Sequence, residues 1–189
     1  MTVPSLRDVP ERFDSERLTI RCPRPGDGPL VHAAVLASLD SLREFPASLP
    51  WAMAEPSIET SEQFCREGQA HYLMRSMLPM LLFLKGTETL VGCSGLHAFD
   101  WAVPKCEIGY WGHTGFRGQG LVTEAVRAIT QLGLATLGMR RIEALPDPGN
   151  RASCLVCERA GYVLEGTLRN DRIAPDGTLR DSCVYAVLS

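Results

Sequence analysis

One stretch limits the folds open to this chain more than any other. It runs Cys106-Glu107-Ile108-Gly109-Tyr110-Trp111-Gly112, then His113-Thr114-Gly115-Phe116-Arg117-Gly118-Gln119-Gly120, then Leu121-Val122-Thr123-Glu124-Ala125-Val126. The first piece is a short apolar and aromatic run, the pattern of a strand. The second is a glycine-rich turn. From Leu121 onward, Leu121, Ala125, Ile129 and Leu132 fall on one face of an amphipathic helix. A strand, a glycine turn and a helix start in direct succession make an anion site. The first-turn amides have no intrahelical partner, and the macrodipole adds partial positive charge there. Gly118 and Gly120 let a ligand approach the backbone because they have no Cβ. A phosphate or pyrophosphate is the natural guest. The turn lacks the lysine of a P-loop, and Thr123 stands where a dinucleotide fingerprint has its third glycine. By itself the stretch fits either a phosphate cradle or an ordinary strand-to-helix turn.

The rest of the chain narrows the choice. Its 189 residues suit one domain, read as an N-terminal arm over 1–14 and a single domain over 15–189. A net charge of -3, with arginines scattered along the chain, argues against a nucleic-acid partner. No apolar run approaches the ~20 residues that span a bilayer, and residues 1–12 have no signal-type apolar core. A cytoplasmic protein without membrane association is expected. The 7 cysteines are odd in number and irregular in spacing, so no disulfide framework is expected. Cys154 and Cys157 form a lone CxxC that packs on one helix face. His32, His71, His97 and His113 show no metal-ligand spacing, so no metal is expected.

The remaining pattern reads as alternating strands and helices. Glu16–Arg21 alternates as a first strand, and helices follow near Leu30–Leu42 and from Ser57 to about Met77. Between them, Phe45–Pro56 is a proline-punctuated loop carrying Trp51. Met80–Lys85 and Thr89–Phe99 form a hairpin, with a bulge or close backbone approach at Gly92 and Gly95. Strand Arg141–Leu145 leads through a Pro146–Gly149 turn to a helix from Asn150 or Arg151 that stops at Gly161. Tyr162–Ile173 and Leu179–Leu188 close the chain as a hairpin. The class is mixed α/β with a largely antiparallel sheet.

Several separate stretches now agree. They are Glu16-Arg17-Leu18, Glu107-Ile108-Gly109-Tyr110-Trp111, Gly118-Gln119-Gly120 with Thr123-Glu124-Ala125, Arg141-Ile142-Glu143-Ala144, Asn150-Arg151-Ala152-Ser153, and Gly161-Tyr162 with Glu165-Gly166-Thr167-Leu168-Arg169. In this order and spacing the sequence resembles the GNAT superfamily of acetyl-CoA-dependent N-acetyltransferases. Within it, the chain resembles the branch of ribosomal-protein N-terminal acetyltransferases, over about Glu16 to Leu188. The resemblance implies a GNAT-like fold with about seven strands, splayed at a cofactor cleft, and about four flanking helices. It implies that the backbone of Tyr110, Trp111 and Gly112 pairs with pantetheine as an added strand. It implies that the amides of Arg117, Gly118, Gln119, Gly120, Leu121 and Val122 hold the pyrophosphate, and that Asn150 contacts the cofactor near its thiol. One departure is Gly115, where the superfamily often has Gln or Arg.

The same resemblance bears on catalysis. Many members place a tyrosine seven residues after the asparagine to protonate the leaving thiolate. Here that position is Cys157, and the ribosomal branch instead resembles this chain in its Ser153. Glu107 is the candidate general base. Asp171-Arg172 stand where ribosomal-branch relatives carry another acid, and Glu124 is read as support for its helix start. The implied reaction is direct acetyl transfer from acetyl-CoA to a primary amine, most simply the α-amine of a protein or peptide. A polyamine, an antibiotic amine, or a non-catalytic CoA-binding sensor module are the alternatives. The protein is read as a monomer or homodimer.

Overall fold

The computed structural model describes residues 4–189; Met1–Val3, the start of the expected arm, lie outside them. The chain runs β1 (Arg12–Asp14), β2 (Leu18–Arg21), α1 (Gly28–Leu42), α2 (Ile58–Met74), β3 (Leu78–Leu84) and β4 (Leu90–Asp100). It continues β5 (Lys105–Gly112), α3 (Leu121–Ala135), β6 (Arg141–Ala144), α4 (Arg151–Ala160), β7 (Val163–Ile173) and β8 (Leu179–Leu188). The 8 strands form one sheet in the order β1-β2-β3-β4-β5-β6-β8-β7. Only β5 and β6 run parallel. The strand beyond the expected seven is β1, which pairs antiparallel with β2. Three residues are too few to show a period, and so this segment reads as arm from the sequence alone. The arm is fastened further in, where the Tyr72 hydroxyl donates to the Pro10 carbonyl at 2.6 Å and Arg7 donates to Leu137 O at 2.6 Å.

Helices cover both faces of the sheet, and so the inner strand β3, Leu78–Leu84, is apolar throughout. One core packs α3 and α4 residues such as Ile129, Val126 and Cys157 against Leu82, Ile108 and Ile142. The second packs Val31, Val35 and Cys65 of α1 and α2 against Leu81, Phe83 and Cys93. Tyr110 joins the first core and Trp111 the second, as the two-residue period of a strand requires. Gly92 sits at φ 155 beside a bulge, where β4 advances from Gly92 to Leu90 while β3 advances only from Leu82 to Phe83, and an added Cβ would collide with the Trp111 carbonyl. The close approach read at that glycine is therefore to the neighbouring strand.

The cleft arises because the one parallel pairing stops early. β6 meets β5 only over Lys105–Glu107 against Arg141–Glu143. β6 ends at Ala144 and the chain turns away into α4. β5 runs on from Ile108 to Gly112 with β4 on one side and no strand on the other. That leaves a row of β5 backbone groups facing a gap.

Candidate functional site

The glycine turn lies at the far end of that gap. Gly118 and Gly120 adopt φ +75 and φ +76, a left-handed conformation costly for any residue with a Cβ. An added Cβ at Gly118 would meet nothing within 4 Å, so its glycine is required by conformation rather than by internal packing. Gly120 is the N-cap of α3 and offers no side chain to its first turn. The first-turn amides of α3 are thus open. The row begins one residue later than the sequence suggested, because the Arg117 amide already donates to the Thr114 carbonyl at 3.3 Å. The Arg117 guanidinium instead contacts Ser41 Oγ. Gly115 donates its amide to His113 Nδ1 at 2.9 Å and holds the loop closed.

An acid in the first turn would oppose an incoming anion, but Glu124 is already neutralised. It accepts from Ser15 Oγ, the Arg17 amide and Arg17 Nε, each at 2.7 Å. Burial works to raise its pKa, and these three donors outweigh it, leaving the carboxyl below its usual range. Arg17 also donates to Gln119 O at 3.0 Å, tying the turn to β2.

The start of α4 forms the other wall. Asn150 caps it by accepting from the Ser153 amide at 3.0 Å. Behind this cap, Asp147 takes two bonds of 2.8 Å from Arg180 and one of 2.8 Å from the Gly149 amide. Burial pushes the Asp147 pKa up, and these donors more than reverse it, so the carboxyl sits below its usual range. Ser153 Oγ donates to the Tyr110 hydroxyl at 3.0 Å. That hydroxyl also lies 3.0 Å from Ser153 O and 3.0 Å from Cys157 Sγ. Hence a tyrosine hydroxyl does reach the helix position where the sequence shows cysteine, from β5 rather than from α4. Burial pushes the Tyr110 phenol well above its ordinary value, and the Cys157 thiol is pushed up to about 11, so both stay neutral. All 7 cysteines are buried and free, and no metal-binding group of three His, Cys, Asp or Glu exists among the described residues.

Two cavities meet here. One, of about 180 Å³, is lined by Glu107, Tyr110, Asn150, Ser153, His97 and Arg172, among others. The second, of about 530 Å³, lies under the Pro50–Met53 turn between the sheet and helices α1 and α2, with Trp51, Trp111, Phe64 and Met77 in its walls. Trp51 and Trp111 touch across it, ring centres 6.3 Å apart. Ser48, Leu49, His97, Gly109 and Tyr110 belong to both cavities. The geometry therefore gathers Glu107, Tyr110, Asn150 and Ser153 at one point, and sets Gly118 to Val122 at the far end of β5. It puts Arg172, read from the sequence only as standing where relatives carry an acid, in the wall of the smaller cavity, and it adds His97 there and Asp147 behind the α4 cap. For His97 the available signal was the alternation along β4 and β5, which needs the strand register before it can be read.

The Acetyltransferase (GNAT) domain model matches residues 17–163. The chain is 28% identical over 175 residues to the "Putative ribosomal N-acetyltransferase YdaF" of Bacillus subtilis (strain 168), covering 92% of each. It is 27% identical over 132 residues to the Ribosomal-protein-serine acetyltransferase of Escherichia coli (strain K12), covering 68% of this chain and 71% of that one. A solved structure of RimL, a ribosomal L7/L12 alpha-N-protein acetyltransferase in complex with coenzyme A, superposes with TM-score 0.82 at 22% identity, over 95% of this chain and 97% of that one. At that identity the likeness is one of fold.

Proposed function

The chain belongs to the GNAT acetyltransferase family, and from that premise we propose that it moves the acetyl group of acetyl-CoA to the α-amine of a protein or peptide. The observation that carries the choice of acceptor is the larger cavity. Among the described residues its lining holds a single carboxylate, Glu55, and that one is already 3.2 Å from Arg43. A polyamine or aminoglycoside would bring several positive charges and need several acids. An apolar wall of Trp51, Trp111, Phe64 and Met77 suits a peptide end with one amine. The names of the relatives point the same way.

The residues present fit acetyl-CoA. The open amides from Gly118 to Val122 and the α3 dipole suit the pyrophosphate. The unpaired edge of β5 at Tyr110, Trp111 and Gly112 suits a pantetheine arm, whose amides pair like a strand. Gly112 is needed there because an added Cβ would stand 2.8 Å from Val122 Cγ2. Acetyl-CoA supplies a thioester carbonyl and a thiol leaving group. Asn150 fixes the α4 start so that Ser153 faces the smaller cavity. Ser153 Oγ, which donates to the Tyr110 hydroxyl, can turn that proton to the leaving sulfur, and Tyr110 can then return one to it. A β5 amide near Tyr110 or Trp111 polarises the carbonyl. Glu107 places negative charge on the acceptor side. An α-amine near pKa ~8 is about a tenth neutral at pH 7, whereas a lysine near ~10.4 is neutral in well under a thousandth of molecules, so an α-amine asks far less of a base.

The test is thiol release from acetyl-CoA with tripeptides whose first residue is serine, alanine, leucine or phenylalanine, beside spermidine and kanamycin. A peptide is expected to lead. A polyamine or aminoglycoside faster than every peptide by tenfold or more would overturn the acceptor class and leave acetyl transfer standing.

A further inference from the structure

We infer that His97 is the group that takes the proton from the acceptor amine, with Glu107 behind it. The inference rests on the acetyl-transfer reading above and adds a residue to it.

The position comes first. His97 and Glu107 are direct partners across the antiparallel β4–β5 pair, so their side chains share one face. Gly109 follows on that face, and a Cβ added there would stand 3.2 Å from His97 Nε2. The imidazole therefore lies over the bare backbone of β5 where β5 has lost its other neighbour. His97 lines both the smaller cavity, with Ser153 and Asn150, and the larger apolar one. A base must reach the amine nitrogen as it meets the thioester carbonyl, and His97 stands where the two cavities join.

The backbone is bent to put it there. Between the His97↔Glu107 and Asp100↔Lys105 pairs, β4 advances one residue more than β5. The residue after His97, Ala98, sits at φ 51, a left-handed conformation for a residue with a Cβ. A bulge of this kind re-aims side chains beside functional sites, and it costs energy that packing alone does not require. A second irregularity does the same for Arg172. Between Leu168↔Ser182 and Arg172↔Arg180, β7 advances two residues more than β8, and Asn170 sits at φ 54.

The surrounding charges suit the role. Glu107 faces the ring from β5 and Arg172 from β7, while Ser41 and Ser48 on the α1 side are uncharged. Burial holds the His97 pKa below its ordinary value, Glu107 opposes that and Arg172 adds to it. The ring is thus neutral, and able to accept a proton, at neutral pH. Glu107 steadies the cation that forms.

The step balances. The amine lone pair forms the new C–N bond to the thioester carbonyl carbon. The N–H proton passes to His97 Nε2. The C–S bond breaks, and the sulfur leaves with a proton donated from the Ser153 side. The imidazolium then loses its proton to water and water returns one to the Ser153 side through Tyr110, so the enzyme is restored and the products are the N-acetyl amine and free CoA thiol.

The experiment compares wild type, His97→Gln and Glu107→Gln, using acetyl-CoA and the fastest tripeptide of the panel. Calorimetry with CoA confirms that each variant is folded. In wild type, log kcat/KM for the peptide falls with slope one below the amine pKa. It steepens to two below the histidine pKa, which lies under about 6.5. His97→Gln should lose ~10²–10⁴-fold in turnover, keep its CoA affinity, and hold slope one throughout. Glu107→Gln should keep the steeper limb and move it to lower pH. Turnover of His97→Gln within threefold of wild type, or an unchanged limb, overturns the proposal, as does a limb that only Glu107→Gln removes. Should His97→Gln not fold, the wild-type imidazole is titrated by NMR, and a pKa that differs from the kinetic limb overturns it. A wild type that binds CoA yet acetylates no amine overturns the transfer reading itself, and this one with it.

Discussion

The helices α3 and α4 both begin at the cleft, and they begin in opposite ways. At α3 the N-cap is Gly120, with no side chain to give and the first-turn amides open. At α4 the N-cap is Asn150, whose Oδ1 takes the Ser153 amide at 3.0 Å, with Asp147 and Arg180 locked behind it. A glycine in place of a side-chain cap costs only a few tenths of a kcal/mol, and α3 accepts that cost. A helix start that stability would close has been left open, which is the condition for an anion to bind there. The start that holds Ser153 at the smaller cavity has been closed, which is the condition for precise placement. One end is built to receive and the other to hold still.

The largest effect expected from breaking this contrast is at Gly120. Gly120→Val places a branched side chain at φ +76 and over the open amides. Losing two hydrogen bonds to a charged group, at about 1.5–3 kcal/mol each, lowers CoA affinity by on the order of 10²-fold or more. Gly161→Ala is the control. It carries the same left-handed cost at the far end of α4, φ +95 with open space around it, and should leave affinity unchanged. Calorimetry on both separates strain from binding. Wild-type affinity in folded Gly120→Val would place the pyrophosphate elsewhere.

A smaller effect is expected at Ser153. Ser153→Ala should lower turnover by up to ~10²-fold, the low end of general-acid help, with the acetyl-CoA KM nearly unchanged. Tyr110→Phe should reproduce part of that loss, since it removes the hydroxyl that can reload Ser153. Steady-state kinetics at saturating peptide read both. Unchanged turnover in Ser153→Ala would assign the proton to water.

The smallest effect is at the closed cap. Asn150→Ala should cost about 1 kcal/mol of stability, or roughly 2–4 °C in Tm for a chain of this size. CoA affinity should fall far less than in Gly120→Val. A loss of affinity as large as at Gly120, with Tm unchanged, would mean that Asn150 acts chiefly as a ligand group and would erase the contrast.

What the sequence determined by itself is what chain neighbours decide among themselves. Gly118 and Gly120 announce a turn open to a ligand, Gly161 announces a helix end, and the spacing from Leu121 to Leu132 announces the helix, because each of these depends on atoms a few residues apart. The order of those signals was enough to point to the family. Tertiary structure alone decided which side chains share the cleft. His97 stands opposite Glu107 only once β4 and β5 are in register, and Arg172 reaches the same cavity only through an irregularity in β7. Tyr110 fills the place beside Cys157 because β5 passes under α4, 47 positions away in the chain. Even the strand at Arg12–Asp14 exists only because β2 offers it an edge. Register and bulges are set by which strands find each other and by the packing of two cores. The energy that fixes them comes from contacts distant in sequence, and so no local pattern of residues records them.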